Sequence, residues 1–298
     1  MGHSHPYFSV IVPTHERAGQ LAICLRALAG QNYPRDRFEV VVVDDGSTIS
    51  PKASVEGFLN KLNMRLLGQL HSGPAAARNY GARHAIGNFL AFTDDDCAPS
   101  PSWLQTLAAG FDSFPDCALG GRTINGVPNN LYSTTSQLVI DYLYTHYNPN
   151  RQRATFLTSN NLALPAERFH ALGGFDAAWK CAAGEDRELC DRWVSHGYRM
   201  VYVPEAVVEH FHTLTWRTFF RQHFNYGRGA FYFRRAFARR RQGPIRLERP
   251  SFYLAAIRYP FSQRQANKAL AVAALIIGAQ VASAAGFFWE RANEIDAE

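Results

Sequence analysis

The chain has 298 residues, of which 47% are hydrophobic and 13% aromatic, so an intrinsically disordered protein is excluded and a sizeable core can be buried. The five cysteines are scattered and form no Cys-x-x-Cys pair, which indicates neither a disulfide framework nor a zinc site. A reducing, cytosolic setting is therefore favoured. No apolar signal sequence opens the chain, and we expect the N-terminal domain to stay in the cytosol.

The formal net charge of +6 is distributed unevenly along the chain. The segment from Arg217 to Lys268 contains thirteen basic residues and one acidic residue, Glu248, and carries a net charge of +12. The rest of the chain carries a net charge of −6. An acidic body with one strongly basic segment predicts that the two parts have different roles.

Strand-like and helical patterns alternate over the first 120 residues. The patterns predict strands at 8–13, 39–44, 64–69 and 89–93, and helices at 17–30, 51–62, 74–86 and 103–114. This alternation is typical of an α/β fold with a Rossmann-like, mainly parallel sheet that helices cover on both faces. Because such sheets bind ligands at the carboxyl ends of their strands, polar residues at those ends are candidate site residues.

The second half of the chain has a less regular pattern. Residues 125–184 are irregular, apart from one predicted helix after 158–161, and they end near a Gly-Gly-Phe-Asp segment at 173–176. A helix is predicted from 184 to about 196, and a strand from 198 to 204. Beyond Trp216, aromatic residues and arginines interleave.

Three consecutive aspartates, Asp94, Asp95 and Asp96, follow the predicted strand at 89–93. Crowded carboxylates raise one another's pKa unless a cation neutralises them, and oxygen ligands suit Mg²⁺ or Mn²⁺ shared with a diphosphate. Because side chains alternate along an extended segment, Asp94 and Asp96 are expected to point to the same side. A solvated acidic turn that ends the strand is the alternative.

Two further segments place polar side chains near the same edge. Asp44 and Asp45 follow four consecutive valines, and a carboxylate there can accept hydrogen bonds from a nucleobase N–H or a ribose hydroxyl. An Asx turn that ends the strand is the alternative. Arg78 lies on a predicted helix rich in small residues, where it can hold a nucleotide or a phosphate, or lie on the surface of a tightly packed helix.

Seven short segments together resemble glycosyltransferase family 2, whose members have the GT-A fold, over about residues 7–215. The matching segments are 10–14, 43–47, 77–81, 92–96, Asn161, 173–176 and 184–186. The resemblance implies a GT-A catalytic domain at 1–215, followed by a basic and aromatic helical segment at 216–298. It also implies an inverting glycosyltransferase that moves a sugar from a nucleotide-diphosphate donor, expected to be UDP-linked, to a hydroxyl acceptor.

The resemblance further implies roles for single residues. Asp186, beside Glu185, is expected to be the catalytic base. The donor-binding residues would be Pro13, Thr14, Glu16, Asp44, Asp45, Arg78, Asp94 and Asp95. A Mn²⁺ or Mg²⁺ ion would be held by Asp96, Asp94 and His210, with His212 as the alternative to His210. The acceptor pocket would be shaped by Asn161, Gly174, Phe175, Asp176 and Trp179.

Elementary chemistry agrees with these implied roles. An inverting transfer needs a carboxylate that takes the proton of the acceptor hydroxyl, and a cation that stabilises the departing diphosphate. Asp186 lies at a predicted helix start, which favours its ionised form. Residues 221–227 lack the Gln-x-x-Arg-Trp motif of the family's processive polysaccharide synthases, and there are too few predicted spans for a polymer channel. We therefore expect the transfer of one sugar or a few.

The segment beyond 216 has the composition of a membrane-associating element. Aromatic residues and arginines interleave at 219–224 and 231–241, which is typical of an interfacial membrane helix, although nucleic-acid binding is the rival interpretation. The 21 uncharged residues at 269–289 would form a helix about 31 Å long, which favours the membrane. Because this run contains Gln280 and Ser283, a helix that lies in the interface is the alternative to a span.

The sequence thus predicts an enzyme at the cytoplasmic face of the inner membrane, with membrane lipids rather than nucleic acid as partners. The acceptor is expected to be lipid-linked, a saccharide or another hydroxyl compound. A nucleotidyltransferase of the same fold is one alternative, against which the Glu185–Asp186 pair argues. A catalytically silent membrane scaffold is another, against which the intact set of predicted metal and base residues argues.

Overall fold

The computed structural model describes residues 5–178, 183–263 and 268–295. The strands are β1 (Phe8–Thr14), β2 (Phe38–Asp44), β3 (Met64–Gly68), β4 (Phe89–Phe92), β5 (Cys97–Pro99), β6 (Ala118–Asn125), β7 (Leu162–Pro165) and β8 (Met200–His210). The helices are α1 (Ala18–Ala29), α2 (Lys52–Glu56), α3 (Pro74–His84), α4 (Trp103–Ser113), α5 (Leu131–Tyr147), α6 (Ala166–Ala171), α7 (Glu185–Ser195), α8 (Trp216–Arg240), α9 (Pro250–Arg258) and α10 (Ala269–Ile295).

The strands form one mixed sheet in the order β3-β2-β1-β4-β7-β6-β8-β5. Strands β3, β2, β1 and β4 are parallel, as the sequence predicts. Strand β7 is antiparallel to β4 and β6, β6 and β8 are parallel, and β5 is antiparallel to β8. The α/β prediction is confirmed, and the antiparallel pairings are confined to the second half of the sheet.

The parallel half of the sheet is covered on both faces. All four valines of β2, Val40 to Val43, are fully buried, and they alternate between the two main hydrophobic clusters. Such β-branched runs suit strands that are buried on both sides. Helix α3 lies very close to this sheet because Gly81 has no side chain, and a Cβ there would lie 2.7 Å from Ile11 Cγ2. The close approach brings the N-terminal half of α3 to the strand ends.

The sequence pattern missed strands β5, β6 and β7 and helix α5, of which α5 and β7 lie in the segment predicted to be irregular. Helix α5 buries a run of polar residues, from Ser133 to Gln137, against the body of the protein, so the hydrophobic periodicity that signals a helix is weak there. Strand β8 extends six residues beyond the predicted end at 204 and carries His210 at its last position. The predicted helix at 51–62 forms only as α2, with turns after Glu56.

The C-terminal helices pack on α5 and α7 and on each other. A Cβ at Gly227 of α8 would lie 1.8 Å from the Ser283 carbonyl oxygen of α10, and one at Gly286 would lie 1.9 Å from the Phe224 carbonyl oxygen. These glycines allow the two helix backbones to make close contact. The predicted division at 215 stays a prediction, and side chains of α8 reach the cleft described next.

Candidate active site

A cleft of about 550 Å³ opens at the carboxyl ends of the parallel strands and is bounded on its other side by α5 and α8. The predicted site residues that line it are Pro13, Thr14, Asp45, Arg78, Asp94, Asp95, Asp96, Glu185, Asp186 and His210. The structure therefore brings together residues that are up to 197 positions apart in the chain, from Pro13 to His210.

The aspartate run forms a turn, because Cys97 N–H donates a hydrogen bond to the Asp94 carbonyl at 3.1 Å. The expectation of strict alternation is wrong for this reason. Asp94 instead accepts a hydrogen bond from Arg78 Nη2 at 2.6 Å, whereas Asp95 and Asp96 share the guanidinium of Arg17, at 3.3 and 3.0 Å. Two arginines on opposite sides thus neutralise three crowded carboxylates.

Asp96 and His210 form a close pair at the end of β8. The antiparallel pairing of β5 with β8 sets Cys97 opposite His210, and His210 Nε2 lies 3.2 Å from Asp96 Oδ1. Burial alone would raise the pKa of Asp96, but the hydrogen bond and charge of His210, with the charge of Arg17, lower it to about 2. Burial alone would lower the pKa of His210, but the contact with Asp96 raises it.

This pair has the chemistry of half a divalent-metal site. Ligand atoms of Asp96, Cys97 and His210 lie within 4.8 Å of one another, and carboxylate oxygen with imidazole nitrogen suits Mn²⁺. Cys97 is buried, which raises the pKa of its thiol well above the usual value and disfavours the thiolate that binds metals. Asp94 lies outside this group of ligand atoms, since Arg78 holds its carboxylate.

His212, the alternative ligand, stacks on His210 with ring centroids 4.0 Å apart. Burial and the nearby charge of His210 lower the pKa of His212 to about 3, so its ring is neutral. Its Nδ1 is buried and has no hydrogen-bond partner among the described residues. The geometry therefore favours His210, through its contact with Asp96, over His212.

Asp95 has the opposite electrostatic character to Asp96. It is only 4% exposed, and Thr14 Oγ1 donates a hydrogen bond to its Oδ2 at 2.8 Å. Burial and the negative charge of Asp96 raise the pKa of Asp95 to about 7. Because Asp95 and Asp96 have different partners, the pKa values of these two neighbouring carboxyl groups differ widely.

Arg78 connects the aspartate run to the predicted base. Its Nη2 contacts Asp94, and its Nη1 donates a hydrogen bond to Glu185 Oε1 at 3.0 Å. The side chain is buried, and its guanidinium lies 5.6 Å from the centre of the Phe175 ring. Arg78 Nε and Glu185 Oε2 are buried without hydrogen-bond partners in the described part of the chain, so this pair still has capacity to bind a ligand.

Asp186 is the next residue of α7 after Glu185, and it lines the cleft. Its Oδ1 accepts a hydrogen bond from the Arg187 amide at 2.7 Å. Burial and the charge of Glu185 raise the pKa of Asp186 to about 7. The expectation that the helix start favours the ionised form is therefore outweighed, because burial has the larger effect here.

Asp45 lines the cleft, and its carboxylate accepts several hydrogen bonds from the protein. Oδ1 accepts hydrogen bonds from Gln69 Nε2 at 2.6 Å and from the Ser72 amide at 2.9 Å. Oδ2 accepts from the Gly73 amide at 2.8 Å and lies 3.0 Å from His71 Nδ1. Asp45 thus fixes the loop that forms one wall of the cleft.

Asp44 and Glu16 lie behind that wall, outside the lining of the cleft. Asp44 Oδ1 accepts a hydrogen bond from the Ser47 amide at 3.0 Å, which is the Asx-turn alternative recognised from the sequence. Glu16 has a positive φ of 56° and accepts a hydrogen bond from the Thr48 amide at 2.5 Å. Both side chains shape the backbone around the cleft.

Four of the predicted acceptor residues, Asn161, Gly174, Phe175 and Asp176, do not line the cleft. Asn161 is fully buried, accepts a hydrogen bond from Trp103 Nε1 and donates to the carbonyls of Arg122 and Ala206. Its side-chain amide thus joins β6 to β8 and its side-chain oxygen holds α4, so any part that Asn161 has in shaping the acceptor pocket is indirect.

The Gly-Gly-Phe-Asp turn also supports the site from below. The Phe175 amide donates a hydrogen bond to Asn79 Oδ1, the Gly174 carbonyl accepts one from Arg192, and Asp176 accepts one from the Ala178 amide. Trp179 lies outside the described residues.

Several cleft residues escaped the sequence reasoning. Arg17 was treated only as the start of a helix, although its position three residues after β1 places it beside the aspartate run. His15 and His71 stack at 4.2 Å on the parallel-strand side of the cleft. From the helices, Gln137 of α5 and Tyr226 of α8 also line it. No motif marks these last two, because Gln137 lies in the segment predicted to be irregular and Tyr226 in the segment predicted to associate with the membrane.

Comparison with known proteins places the chain in a family. The profile described as Glycosyl transferase family 2 matches residues 9–172, and the chain belongs to this family. It is 34% identical over 171 residues to the poly(ribitol-phosphate) beta-N-acetylglucosaminyltransferase TarS of Staphylococcus aureus, covering 54% of this chain and 30% of TarS. It is 31% identical over 229 residues to the validoxylamine A glucosyltransferase of Streptomyces hygroscopicus, covering 67% of this chain and 54% of that enzyme.

The chain therefore spans about a third to about half the length of these curated relatives. Among solved structures, the mannosyltransferase PcManGT from Pyrobaculum calidifontis, in complex with GDP-Man and Mn²⁺, has a TM-score of 0.61 at 22% identity and covers 99% of this chain and 81% of its own. The TarS 1–349 structure in complex with UDP-GlcNAc has a TM-score of 0.55 at 19% identity, with coverages of 97% and 92%. These likenesses confirm the predicted GT-A fold.

Proposed function

We propose that this protein is an inverting glycosyltransferase that transfers a sugar from a nucleoside-diphosphate donor to an acceptor hydroxyl. The observation that carries the proposal is one cleft that contains both the Asp96–His210 pair and Asp186, a half-buried carboxyl whose pKa is raised to about 7. A group that titrates near neutral pH can take a proton from a hydroxyl. Family membership supports the same activity.

In this proposal Asp186 takes the proton of the acceptor hydroxyl as that oxygen attacks the sugar carbon. Glu185, through its contact with Arg78, keeps the guanidinium beside Asp94, where it can orient the donor by hydrogen bonds. Asp96 and His210 would hold Mn²⁺ or Mg²⁺, which when bound would stabilise the negative charge of the departing diphosphate. Thr14 and Asp45 would lie at the edge of the nucleoside pocket, and Asp45 would act through the loop that it fixes.

For the donor we propose a UDP-linked sugar. The relative TarS has been solved with UDP-GlcNAc, and PcManGT with GDP-Man, so both nucleotides occur among proteins of this fold. The test is a panel of UDP, GDP and dTDP sugars, measured by thermal shift and by hydrolysis with and without Mn²⁺. We expect Mn²⁺-dependent stabilisation and nucleoside diphosphate release with UDP sugars.

Two results of that panel would contradict the proposal. One is the absence of any response to every nucleotide sugar with Mn²⁺ present. The other is release of pyrophosphate from a nucleoside triphosphate and sugar phosphate without hydrolysis of any nucleotide sugar, which would indicate the nucleotidyltransferase. Asp116→Asn is the matched control variant, because Asp116 is 71% exposed at its side chain, pairs with Arg168 and lies outside the cleft.

We propose further that the C-terminal helices hold the enzyme on the cytoplasmic face of the membrane. Helix α10 is long and apolar enough to cross a membrane. One face of this helix is buried on α8 and ends at Glu290, which pairs with Arg228. The opposite face exposes Leu270, Ile277 and Val281. A charged pair inside this contact favours a helix that lies along the membrane surface.

Vesicle flotation tests this location. The full-length protein is expected to float with vesicles that contain 30% phosphatidylserine, at low ionic strength, and to be released by alkaline carbonate. Ile277→Glu with Val281→Glu is expected to abolish flotation, whereas Ile86→Glu, at an exposed apolar residue of the catalytic body, is the matched control. Retention after the carbonate wash would support a spanning helix, and equal flotation of both variants would contradict the proposed surface.

A further inference from the structure

A second cavity adjoins the cleft on the far side of α5. Its volume is about 710 Å³, and it lies between α5, β6 and the segment around Tyr259 and Pro260. Thr123, Gln137 and Ile140 line both this cavity and the cleft. The two spaces are therefore neighbours that share one wall, and a molecule in the second cavity can reach toward the first across Gln137.

The polar groups of this cavity are arranged around one carboxylate. Asp141 Oδ1 accepts a hydrogen bond from Gln137 Nε2 at 2.9 Å, and the same Nε2 donates to the Thr123 carbonyl. Within the described residues no basic side chain lies within 4 Å of Asp141, whose pKa is raised to about 6 by burial. The charge of Arg122, which also lines the cavity, lowers that pKa only in part, and a half-buried carboxylate with no ion pair in the described part of the chain has free acceptor capacity for hydroxyl groups.

Aromatic rings form the apolar part of the lining. Tyr144, Tyr202 and Tyr259 all border the cavity, and Tyr144 and Tyr202 pack with ring centroids 5.1 Å apart. Tyrosine rings offer flat apolar faces beside polar tips, and sites for small polar ligands combine such faces with a few placed hydrogen-bonding groups. A sugar ring has this combination, with C–H bonds on its faces and hydroxyls at its edge.

A short turn connects the shared wall to the proposed base. Asn160 Oδ1 accepts hydrogen bonds from Thr123 Oγ1 at 3.3 Å and from Thr158 Oγ1 at 2.8 Å. Tyr144, which borders the second cavity, has its hydroxyl 2.9 Å from Thr158 Oγ1. On its other side the turn contacts Asp186, through the Ser159 backbone. One turn therefore touches both the second cavity and the base.

We propose that the second cavity binds the saccharide part of the acceptor, with Asp141 and Gln137 as its hydrogen-bonding pair and the tyrosines as its stacking surface. This inference rests on the proposed function, because it needs a hydroxyl that reaches Asp186 from the wall formed by Thr123 and Gln137. In this proposal α5 separates the donor from the acceptor, and the acceptor is a saccharide.

The test is saturation-transfer NMR with three probes, methyl β-glucoside, methyl α-mannoside and methyl β-N-acetylglucosaminide, on the whole chain with Mn²⁺ present, first without UDP and then with it. At least one probe is expected to bind, and UDP is not expected to displace it. Asp141→Asn keeps the side-chain volume and is expected to weaken binding at least tenfold. Thr145→Trp, at an exposed residue that lines the cavity, is expected to block binding by filling it.

Three results would overturn the inference: no probe binds, UDP displaces the bound probe, or both variants bind it as the unaltered protein does. Asp116→Asn is the control variant, and melting temperatures show whether each variant is folded. The UDP-induced rise in melting temperature, measured on the same samples, reports on the donor cleft alone. If UDP stabilises the protein while the saccharide result is negative, this inference fails and the proposed function stands.

Discussion

The two halves of the site differ in how far their polar groups are satisfied within the protein. On the side of the parallel strands, the carboxylate of Asp45 has Gln69, Ser72 and Gly73 as donors. On the side of α5 and α7, Glu185 Oε2 is buried without a partner among the described residues, and in the same part of the chain the carboxylate of Asp141 accepts a hydrogen bond from Gln137 alone.

This difference indicates a division of labour. A fully hydrogen-bonded carboxylate such as Asp45 holds its loop rigidly and presents a fixed shape to a nucleotide. Groups that are buried but unsatisfied are costly unless a ligand or a reaction uses them. We therefore expect substitutions on the parallel-strand side to change donor binding, and substitutions on the α7 side to change the chemical step.

The largest effect on the donor side is expected for Asp96→Asn. The variant keeps the shape of the side chain but loses the charge that pairs with His210 and would hold the metal. Because a bound cation contributes several kcal/mol to charge stabilisation, we expect transfer to fall about 100-fold or more. Steady-state rates over a Mn²⁺ titration measure this. A rate and Mn²⁺ dependence like those of the unaltered protein would contradict the metal assignment.

The pH dependence of kcat tests the role proposed for the α7 side of the cleft. Asp186 must be ionised to accept a proton, and its pKa is raised to about 7. The rate is therefore expected to rise about tenfold per pH unit below the pKa and to level off above it. Glu185→Gln removes a neighbouring negative charge that raises this pKa, so the inflection of that variant is expected at lower pH. An inflection at the same pH in both proteins would exclude Glu185 as a cause of the raised pKa of Asp186.

The smallest expected effect concerns stability. The pKa of Asp95 is raised in the folded protein to about 7, so the folded state binds more protons than the unfolded state between about pH 4 and pH 7. Stability therefore falls as the pH rises through this window. Asp95→Asn removes the charge and is expected to stabilise the metal-free protein at pH 8 by about 1 kcal/mol, roughly 2–4 °C in melting temperature.

Melting curves in EDTA at pH 4 and pH 8 check that prediction. The difference between Asp95→Asn and the unaltered protein is expected to vanish at pH 4, where Asp95 is protonated in the folded state. A lower melting temperature of the variant at pH 8 would show that the hydrogen bond from Thr14 matters more than the relief of repulsion from Asp96.

The parallel half of the site could be predicted from sequence because strand ends of the same direction meet at one edge. Asp45, Arg78 and Asp96 were assigned to the cleft on this ground, and all three line it. The directions of the three aspartate side chains could not be predicted, because the run folds into a turn. The raised pKa of Asp186 could not be predicted either, because it depends on burial in the folded protein.

The other half escaped prediction because its signals are not local. Helix α5 buries Ser133, Thr134, Thr135, Ser136 and Gln137, so its sequence lacks an apolar stripe. Asn161 was taken for an acceptor residue, but the fold uses its side chain to join strands. Arg17 becomes a site residue only because the turn after β1 brings it to the aspartates.

The central claim is that Asp186 is the base and that donor binding lies elsewhere in the cleft. The most direct measurement compares Asp186→Asn with the unaltered protein for transfer rate and for donor Kd, by isothermal titration with a UDP sugar and Mn²⁺. We predict a loss of transfer of about 10²–10⁴-fold with a donor Kd within about threefold. Transfer at the original rate, or a donor Kd that worsens in parallel with the rate, would contradict the account.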